Sequence, residues 1–366
     1  MRYSIFGESH GSAIGVVLEQ VPPGLVLDRE AISKEMARRA PGKSPLSTAR
    51  KEADIPEILS GVFEGKTTGT PLCAIIHNSD HHSKDYAKTR FLARPSHGDY
   101  TGFVRYQGCN DYRGGGHFSG RLTAPLVFAG AVAKQFLTQR GITVGAHISQ
   151  VGTVKDTSFA ATELTPTLFQ TLSEKAFPTV DDQAGAAMQA EILQAREELD
   201  SIGGAIQCAI LGLPVGVGSP DLGCNVEGVL AQHLFAVPAV KGLSFGAGFD
   251  FAAMRGSQAN DPFRMQNGRV VTTQNRNGGV NGGITNGMPL VLRTVVKPTP
   301  SIYKVQQTVD YAAKRNATLQ INGRHDPCIV HRARVVQDSL VAFGLADLCA
   351  QQLGRAWQEG TSWNTD

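Results

Sequence analysis

Two short segments each place a histidine among glycine and polar residues, where its ring can reach a ligand. Residues 7–11 read Gly-Glu-Ser-His-Gly directly after a stretch that predicts a strand, and residues 94–100 read Arg-Pro-Ser-His-Gly-Asp-Tyr. Histidine has an unperturbed pKa of about 6.5, so it can donate or accept a proton near neutral pH. The spacing around Ser9 does not match the Gly-X-Ser-X-Gly turn of a nucleophilic serine. Each segment taken alone is also compatible with a surface turn.

Cationic residues gather in two further segments. Four cations occur within thirteen residues between Arg38 and Arg50. A planar guanidinium suits phosphate and carboxylate, but cations at the end of a helix are also ordinary partners of the helix dipole. Farther along the chain, Lys297, Thr299 and Ser301 offer one ammonium and two hydroxyls, a set that can grip one phosphate.

Glycine is over-represented and clustered. The chain has 41 glycines, against roughly 26 at an average usage of about 7%. Clusters such as residues 114–116 and 278–283 permit positive φ angles and a close approach of the backbone to a ligand. The triple glycine precedes a predicted helix and resembles a phosphate cradle, because backbone N–H groups and helix N-termini attract anions. Turns in a region rich in Asn and Gly are the structural alternative.

The elements that must position these segments follow from the spacing of the apolar residues. Asp28 is a predicted N-cap for a helix that ends at Arg39. Residues 122–139 are apolar on nearly every side, which predicts a helix in the interior. The other predicted elements are strands at 16–18, 142–148 and within 269–296, and helices at 182–199, 226–234, 304–316 and 333–353.

Composition limits the function classes. Lys and Arg number 35 and Asp and Glu number 32, a balance that argues against a dedicated nucleic-acid or membrane-surface protein. The six cysteines show no metal-ligand spacing, so we expect no metal site, reduced thiols and a cytoplasmic location. The most apolar stretch, residues 124–133, is too short to span a bilayer. Neither a linker nor a repeat divides the chain, which predicts one α+β domain over residues 1–353 and a loose tail at 354–366.

Six of the motifs occur together in the order typical of one enzyme family. The chain resembles chorismate synthases in residues 7–11, 94–100, 113–116, 282–287, 297–301 and 323–328. The resemblance runs from residue 7 to about residue 347. It implies a β-α-β sandwich, a homotetramer, and conversion of 5-enolpyruvylshikimate 3-phosphate to chorismate and phosphate. This reaction is a 1,4-anti elimination that requires reduced FMN without net redox change.

The resemblance also implies roles for individual residues. His10 would be the acid beside the leaving phosphate, His97 would face the pyrimidine end of the flavin, and Asp326 would lie near flavin N5. The implied flavin contacts are His117, Phe118, Ser119, Gln258, Ala259, Gly282, Lys297, Pro298, Thr299, Pro300, Ser301 and Arg324. The implied substrate contacts are Ser9, Arg39, Arg50, Arg94 and Arg121. Several inward arginines fit a substrate with two carboxylates and a phosphate.

Two departures and two alternatives accompany this interpretation. Residues 117–121 read His-Phe-Ser-Gly-Arg where many family members have Arg-Ser-Ser-Ala-Arg, and Pro45 stands where many have arginine. The flavin could be reduced by NADPH on the chain itself or by an external flavin reductase. One alternative is an FMN-dependent oxidoreductase acting on a phosphorylated small acid, although no nicotinamide-binding Gly-X-Gly-X-X-Gly segment follows a strand. The other is a flavin- or nucleotide-binding module without catalysis.

Overall fold

Two antiparallel sheets enclose a layer of helices. The structure, a computed structural model, describes residues 1–42, 46, 52–79, 89–321 and 325–354. The helices in these ranges are α1 (Arg29–Arg39), α2 (Asp99–Arg105), α3 (Thr123–Thr138), α4 (Pro166–Glu174), α5 (Asp182–Glu197), α6 (Val226–Phe235), α7 (Gly256–Ala259) and α8 (Val330–Gln352).

The strands form two large sheets and several hairpins. The first half of the described chain contributes β1 (Arg2–Gly7), β2 (Ala13–Glu19), β3 (Glu57–Ser60), β4 (Val62–Phe63), β5 (Lys66–Thr67), β6 (Leu72–His77), β7 (Thr143–Val151) and β8 (Val154–Lys155). The second half contributes β9 (Gly204–Leu211), β10 (Val240–Phe245), β11 (Phe263–Gln266), β12 (Arg269–Thr272), β13 (Val280–Asn281), β14 (Ile284–Thr285), β15 (Leu290–Val296), β16 (Gln306–Asp310) and β17 (Arg315–Leu319). The sheets have the orders β1-β2-β6-β3 and β10-β15-β9-β7-β8.

The helices α3 and α8 form the middle layer. Helix α3 packs on β1, β2 and β6 of the first sheet, while α8 packs on β7 and β9 of the second, and the two helices pack on each other. Both are buried along most of their length. For α3 this agrees with its sequence, which has apolar residues on nearly all sides. The predicted β-α-β sandwich is thus confirmed. No helix in the described ranges is both long and apolar enough to cross a lipid bilayer.

Helix α1 begins where the sequence predicted. The carboxylate of Asp28 accepts hydrogen bonds from the backbone N–H groups of Glu30 and Ala31 at 2.9 and 3.0 Å, which satisfies two donors of the first turn. Ile32 and Met36 face the core. The helix ends at Arg39, and this last residue lines the cavity described below.

The prediction of a helix at residues 304–316 is wrong. These residues form most of the β16–β17 hairpin, whose exposure alternates with the period of two typical of strands. The Asp310 carboxylate accepts hydrogen bonds from the backbone N–H groups of Ala312 and Ala313, a local turn that competes with helix formation. The predicted helix at 333–353 exists, but it begins earlier, at Val330.

Candidate active site

A cavity of about 380 Å³ lies where loops from both sheets meet the ends of α1 and α8. The loop after β1, the segment before α2, the triple glycine and the loop after β15 all contribute to its wall. Five cationic side chains line it: Arg39, Arg94, Arg121, Lys297 and Arg332. Among the described lining residues, Asp326 is the one carboxylate. The wall is therefore suited to a ligand with several negative charges.

Most of the site residues expected from the sequence meet in this cavity. Its wall includes His10, Arg39, Arg94, His97, Phe118, Ser119, Arg121, Lys297, Thr299, Pro300, Ser301 and Asp326. Ser9 is buried directly behind His10, and His117 lines an adjoining cavity. The Pro298 ring lies against Gly203. Arg50 and Arg324 lie outside the described residues.

Three expected flavin contacts are not brought to this cavity within one chain. Gln258 and Ala259 belong to the short helix α7, whose side chains lie at the surface, and Gly282 is exposed in the β13–β14 hairpin. None of the three lines the main cavity or the adjoining one. Their flavin contacts stay a prediction from the family resemblance.

The serine before His10 fixes which ring nitrogen faces away from the protein wall. Ser9 Oγ lies 2.9 Å from His10 Nδ1 and 3.3 Å from the carbonyl oxygen of Arg113. A carbonyl can only accept, so the single hydroxyl proton goes to Arg113, and Ser9 Oγ accepts from Nδ1–H of His10. Nε2 is then the nitrogen of His10 that can exchange a proton with a ligand.

The triple glycine is the wall against which both histidines lie. Gly114, Gly115 and Gly116 all have positive φ angles, of 60°, 97° and 52°. A Cβ atom at Gly114 would overlap the His10 ring, and one at Gly115 would lie 3.1 Å from Cε1 and 3.2 Å from Nε2 of His97. The two rings thus lie against consecutive glycines, and both line the same cavity. The backbone of the three glycines is non-helical, and a short 3₁₀ turn, Gly120–Leu122, separates them from α3, so the triple glycine does not enter that helix directly.

This contact predicts a large effect for Gly114→Ala. The new methyl group must displace the His10 ring, and the positive φ adds strain. We expect turnover to fall by about 10²-fold, the scale typical of a catalytic group misplaced by about 1 Å. Steady-state phosphate release checks this. Gly228→Ala, on the exposed face of α6, where a new Cβ would make only ordinary contact with Asn225 at 3.8 Å, is the matched control and should keep full turnover. Equal rates for both variants would contradict the assignment.

His97 is held by a carboxylate that the sequence analysis did not single out. Its Nδ1 lies 2.8 Å from Asp99 Oδ1 and 3.2 Å from Arg94 Nη2. Both Nδ1–H and the guanidinium donate to Asp99, since a guanidinium cannot accept. Arg94 binds the same carboxylate through Nε at 2.7 Å and Nη2 at 2.6 Å. Burial opposes ionisation, but the hydrogen bonds from Arg94 and His97 outweigh it and hold the pKa of Asp99 well below its usual range.

Two of the cavity arginines are bound from behind by carboxylates. Arg39 Nη1 lies 2.8 Å from Asp54 Oδ2, and Arg121 binds both Asp54 and Glu52, the latter at 2.9 Å. Burial opposes ionisation of Asp54, but the two guanidinium groups outweigh it and lower its pKa. Arg39 and Arg121 are only 2% and 4% exposed. Such a fully paired network fixes both arginines in place before a ligand arrives.

The loop after β15 supplies polar groups to the same wall. Lys297 Nζ donates to the carbonyl oxygen of Ser96 at 2.6 Å, and burial together with the nearby charge of Lys241 lowers the Lys297 pKa. Thr299 Oγ1 is buried without a hydrogen-bond partner among the described residues. Lys297 also lines an adjoining cavity of about 440 Å³ with His117 and Phe118, whose other walls are largely apolar. An apolar slot next to an ammonium and a spare hydroxyl fits a flavin ring and its phosphate.

The beginning of α8 completes the wall. Asp326 Oδ2 forms an ion pair with Arg332 Nη1 at 2.9 Å, and Arg332 Nε donates to the carbonyl oxygen of Arg39. His325 lines the cavity as well, and burial together with Arg94 lowers its pKa to about 4, so its ring is neutral at pH 7. The sequence contained His325 within a family motif, but it gave no signal for Arg332.

The cavity geometry is that of an enzyme that acts on a small anionic substrate, because five cations and two histidines line one cavity. Comparison with known proteins makes this specific. Residues 1–350 match the family model of chorismate synthase. The chain is 46% identical to the chorismate synthase of Thermococcus kodakarensis over 358 residues, which is 98% of each chain. It is 46% identical to that of Dehalococcoides mccartyi over 343 residues, 94% of this chain and 93% of the relative.

A solved structure agrees with the sequence relatives. A crystal structure of chorismate synthase superposes with a TM-score of 0.76 at 29% identity, covering 98% of this chain and 94% of the other. The chain therefore belongs to the chorismate synthase family. It is a lyase of aromatic amino-acid biosynthesis, and the oxidoreductase alternative is not favoured. The family requires a reduced flavin.

Proposed function

We propose that the main cavity binds 5-enolpyruvylshikimate 3-phosphate beside reduced FMN and releases chorismate and phosphate. The observation that carries this proposal is the placement of His10 and His97 on consecutive glycines inside a wall with five cations. The substrate carries two carboxylates and a phosphate, and cationic groups that are fixed in advance stabilise developing charge most effectively. The reaction breaks one C–H and one C–O bond. The hydrogen leaves as a proton to a base, the C–H electron pair enters the new C=C bond as the existing one shifts, and phosphate leaves with the C–O electron pair.

The residues divide into acid, positioning and anchoring roles. Because the Nδ1–H of His10 is bound to Ser9, Nε2 is the nitrogen that would gain the second proton of the imidazolium form and deliver it to the departing phosphate. Arg39 and Arg121 orient the anionic substrate from fixed positions. His97, bound by Asp99, presents Nε2 next to Gly115. When bound, reduced flavin supplies electron density that lowers the barrier to breaking the C–O bond.

The proposal is tested by anaerobic phosphate release from 5-enolpyruvylshikimate 3-phosphate. With reduced FMN, we expect many turnovers of phosphate while the flavin absorbance stays that of the reduced form. Without flavin, or with oxidised FMN, release should stop. An oxidoreductase would instead oxidise one flavin for each substrate, and that result would overturn the proposal.

Lys297 is proposed to hold the flavin phosphate. Lys297→Ala removes an ammonium at the junction of both cavities, and a hydrogen bond to a charged group contributes about 1.5–3 kcal/mol, so FMN affinity should fall by about tenfold or more. Fluorescence titration with FMN measures this directly. Lys304→Ala, at an exposed ion pair with Asp200, is the control. A change in substrate KM with unaltered FMN affinity would reassign Lys297 to the substrate.

The source of the electrons and the assembly belong to the same proposal. NADPH oxidised by the chain itself and a separate flavin reductase are distinguished by adding NADPH to the chain and FMN without oxygen. Bleaching of the flavin indicates self-reduction, and no bleaching indicates an external reductase. A homotetramer is expected, and light scattering after size exclusion measures its mass.

A further inference from the structure

A second charged cluster lies away from the active site, between α1, α3 and α8. Arg38 binds Glu35 at 2.5 Å and Asp338 at 2.8 Å, and Lys134 binds the same two carboxylates at 2.6 Å each. These four side chains form a closed ring in which each cation contacts both carboxylates. Their charges compensate one another, so the ring by itself needs no further ion.

Arg334 adds a third cation to this cluster without a matching carboxylate. Its side chain is 4% exposed, and the ion-pair contact it makes is to Asp338, at 4.0 Å, beyond hydrogen-bond distance. Among the residues that the structure describes, no side-chain nitrogen of Arg334 has a hydrogen-bond acceptor, and its Nε is fully buried. Burial together with the charge of Arg38 lowers the Arg334 pKa to about 9, so the group is still cationic at pH 7. A buried charge without compensation is strongly destabilising.

Arg334 lines a cavity of about 240 Å³, and two other polar atoms of its wall also lack hydrogen-bond partners. Thr143 Oγ1 and Arg38 Nε, on the same wall, are buried and lack hydrogen-bond partners among the described residues. All three groups can donate a hydrogen bond. Glu35 and Asp338 also line the cavity, but each is held by both Arg38 and Lys134. The lining therefore carries one net positive charge and an excess of donors.

We propose that this cavity binds a small oxyanion, either inorganic phosphate or the phosphate group of a small phosphomonoester. Such a ligand offers several acceptor oxygens and no obligatory donor, which complements Arg334, Arg38 and Thr143. It also supplies the negative charge that Arg334 lacks. The site is separate from the active site, because the consecutive residues Arg38 and Arg39 face the two different cavities.

Thermal unfolding in a phosphate series at constant ionic strength tests the proposal. Without phosphate, Arg334→Met should melt above the wild type, because the uncompensated charge is gone. Phosphate should raise the melting temperature of the wild type more than that of Arg334→Met. The smaller increase that remains in Arg334→Met reflects phosphate binding at the active site. Arg315→Met, an exposed arginine in the β16–β17 hairpin, is the matched control and should respond like the wild type. Equal phosphate responses in the wild type and Arg334→Met would overturn the proposal.

Further measurements keep the test decisive if Arg334→Met does not fold. Thr143→Val keeps the charge but removes one donor, and it should weaken phosphate binding at this site by about tenfold. Crystals soaked in tungstate should give an anomalous peak beside Arg334 in the wild type. Titrations with glycerol 3-phosphate and with inorganic phosphate distinguish an ester from free phosphate, because the preferred ligand binds with the lower Kd. No tungstate peak, or a carboxylate of a second copy occupying the cavity, would refute the site.

Discussion

Replacing His10 by alanine should lower turnover by roughly 10²–10⁴-fold, the usual contribution of a positioned acid–base group. The ring is 6% exposed, its Nδ1 is engaged by Ser9, and its Nδ1–Cε1 edge lies against Gly114 in the cavity wall. The hydroxyl of Ser9 also lies near that glycine, but its proton is donated to the carbonyl oxygen of Arg113, so the loss of His10 should slow the departure of phosphate. Single-turnover phosphate release with reduced FMN measures the step, and unchanged FMN affinity should accompany it.

The control separates chemistry from folding. His77→Ala changes a histidine whose side chain is 66% exposed, and it should keep wild-type turnover. Because His10→Ala leaves a space the size of the ring, added imidazole should restore part of the rate to that variant and none to the wild type. Wild-type phosphate release by a folded His10→Ala enzyme would remove His10 from the mechanism.

The segments that build the site could be predicted from the sequence, but the role of each arginine in it could not. The histidines and glycines were visible because their motifs are local, with His10 between glycines and Gly114 at the start of a run of three. The partners of the cations were not visible. Asp54 lies between two arginines that are 15 and 67 residues away, and only tertiary packing brings the three together.

The fold predictions follow the same division between local and distant causes. Helix α1 was predicted from its cap at Asp28 and α3 from its apolar surface, both of which are local. The hairpin at β16–β17 was mistaken for a helix because its strands are stabilised by pairing. Within the described residues they pair with each other and contact the segment near Ala93, whose carbonyl oxygen accepts a hydrogen bond from Thr308. Propensity over one short window could not reveal that partner.

Asp99→Asn should lower turnover by roughly 10²–10³-fold although Asp99 need not touch the substrate. The ionised carboxylate accepts from Nδ1–H of His97 and so fixes the ring orientation and the nitrogen that faces Gly115. An amide can donate to Nδ1 instead, which reverses the tautomer and leaves Arg94 without its ion pair. Steady-state turnover, compared with Asp200→Asn at an exposed ion pair, measures the effect.

A double-mutant cycle separates a positioning role of Asp99 from a structural one, and the pH dependence of stability tests its ionisation. If Asp99 acts through His97, then Asp99→Asn should cause no further loss of turnover in a His97→Ala background, whereas independent roles would give additive losses. For stability, the pKa of Asp99 is lowered in the folded state, so its contribution is complete above the unfolded value of about 3.9 and is lost on further acidification. The gap in melting temperature between the wild type and Asp99→Asn should therefore be widest near neutral pH and narrow below about pH 4. Additive losses of turnover in the two variants would show that Asp99 does not position His97. A gap in melting temperature that does not change with pH would show that the ionised carboxylate does not stabilise the fold.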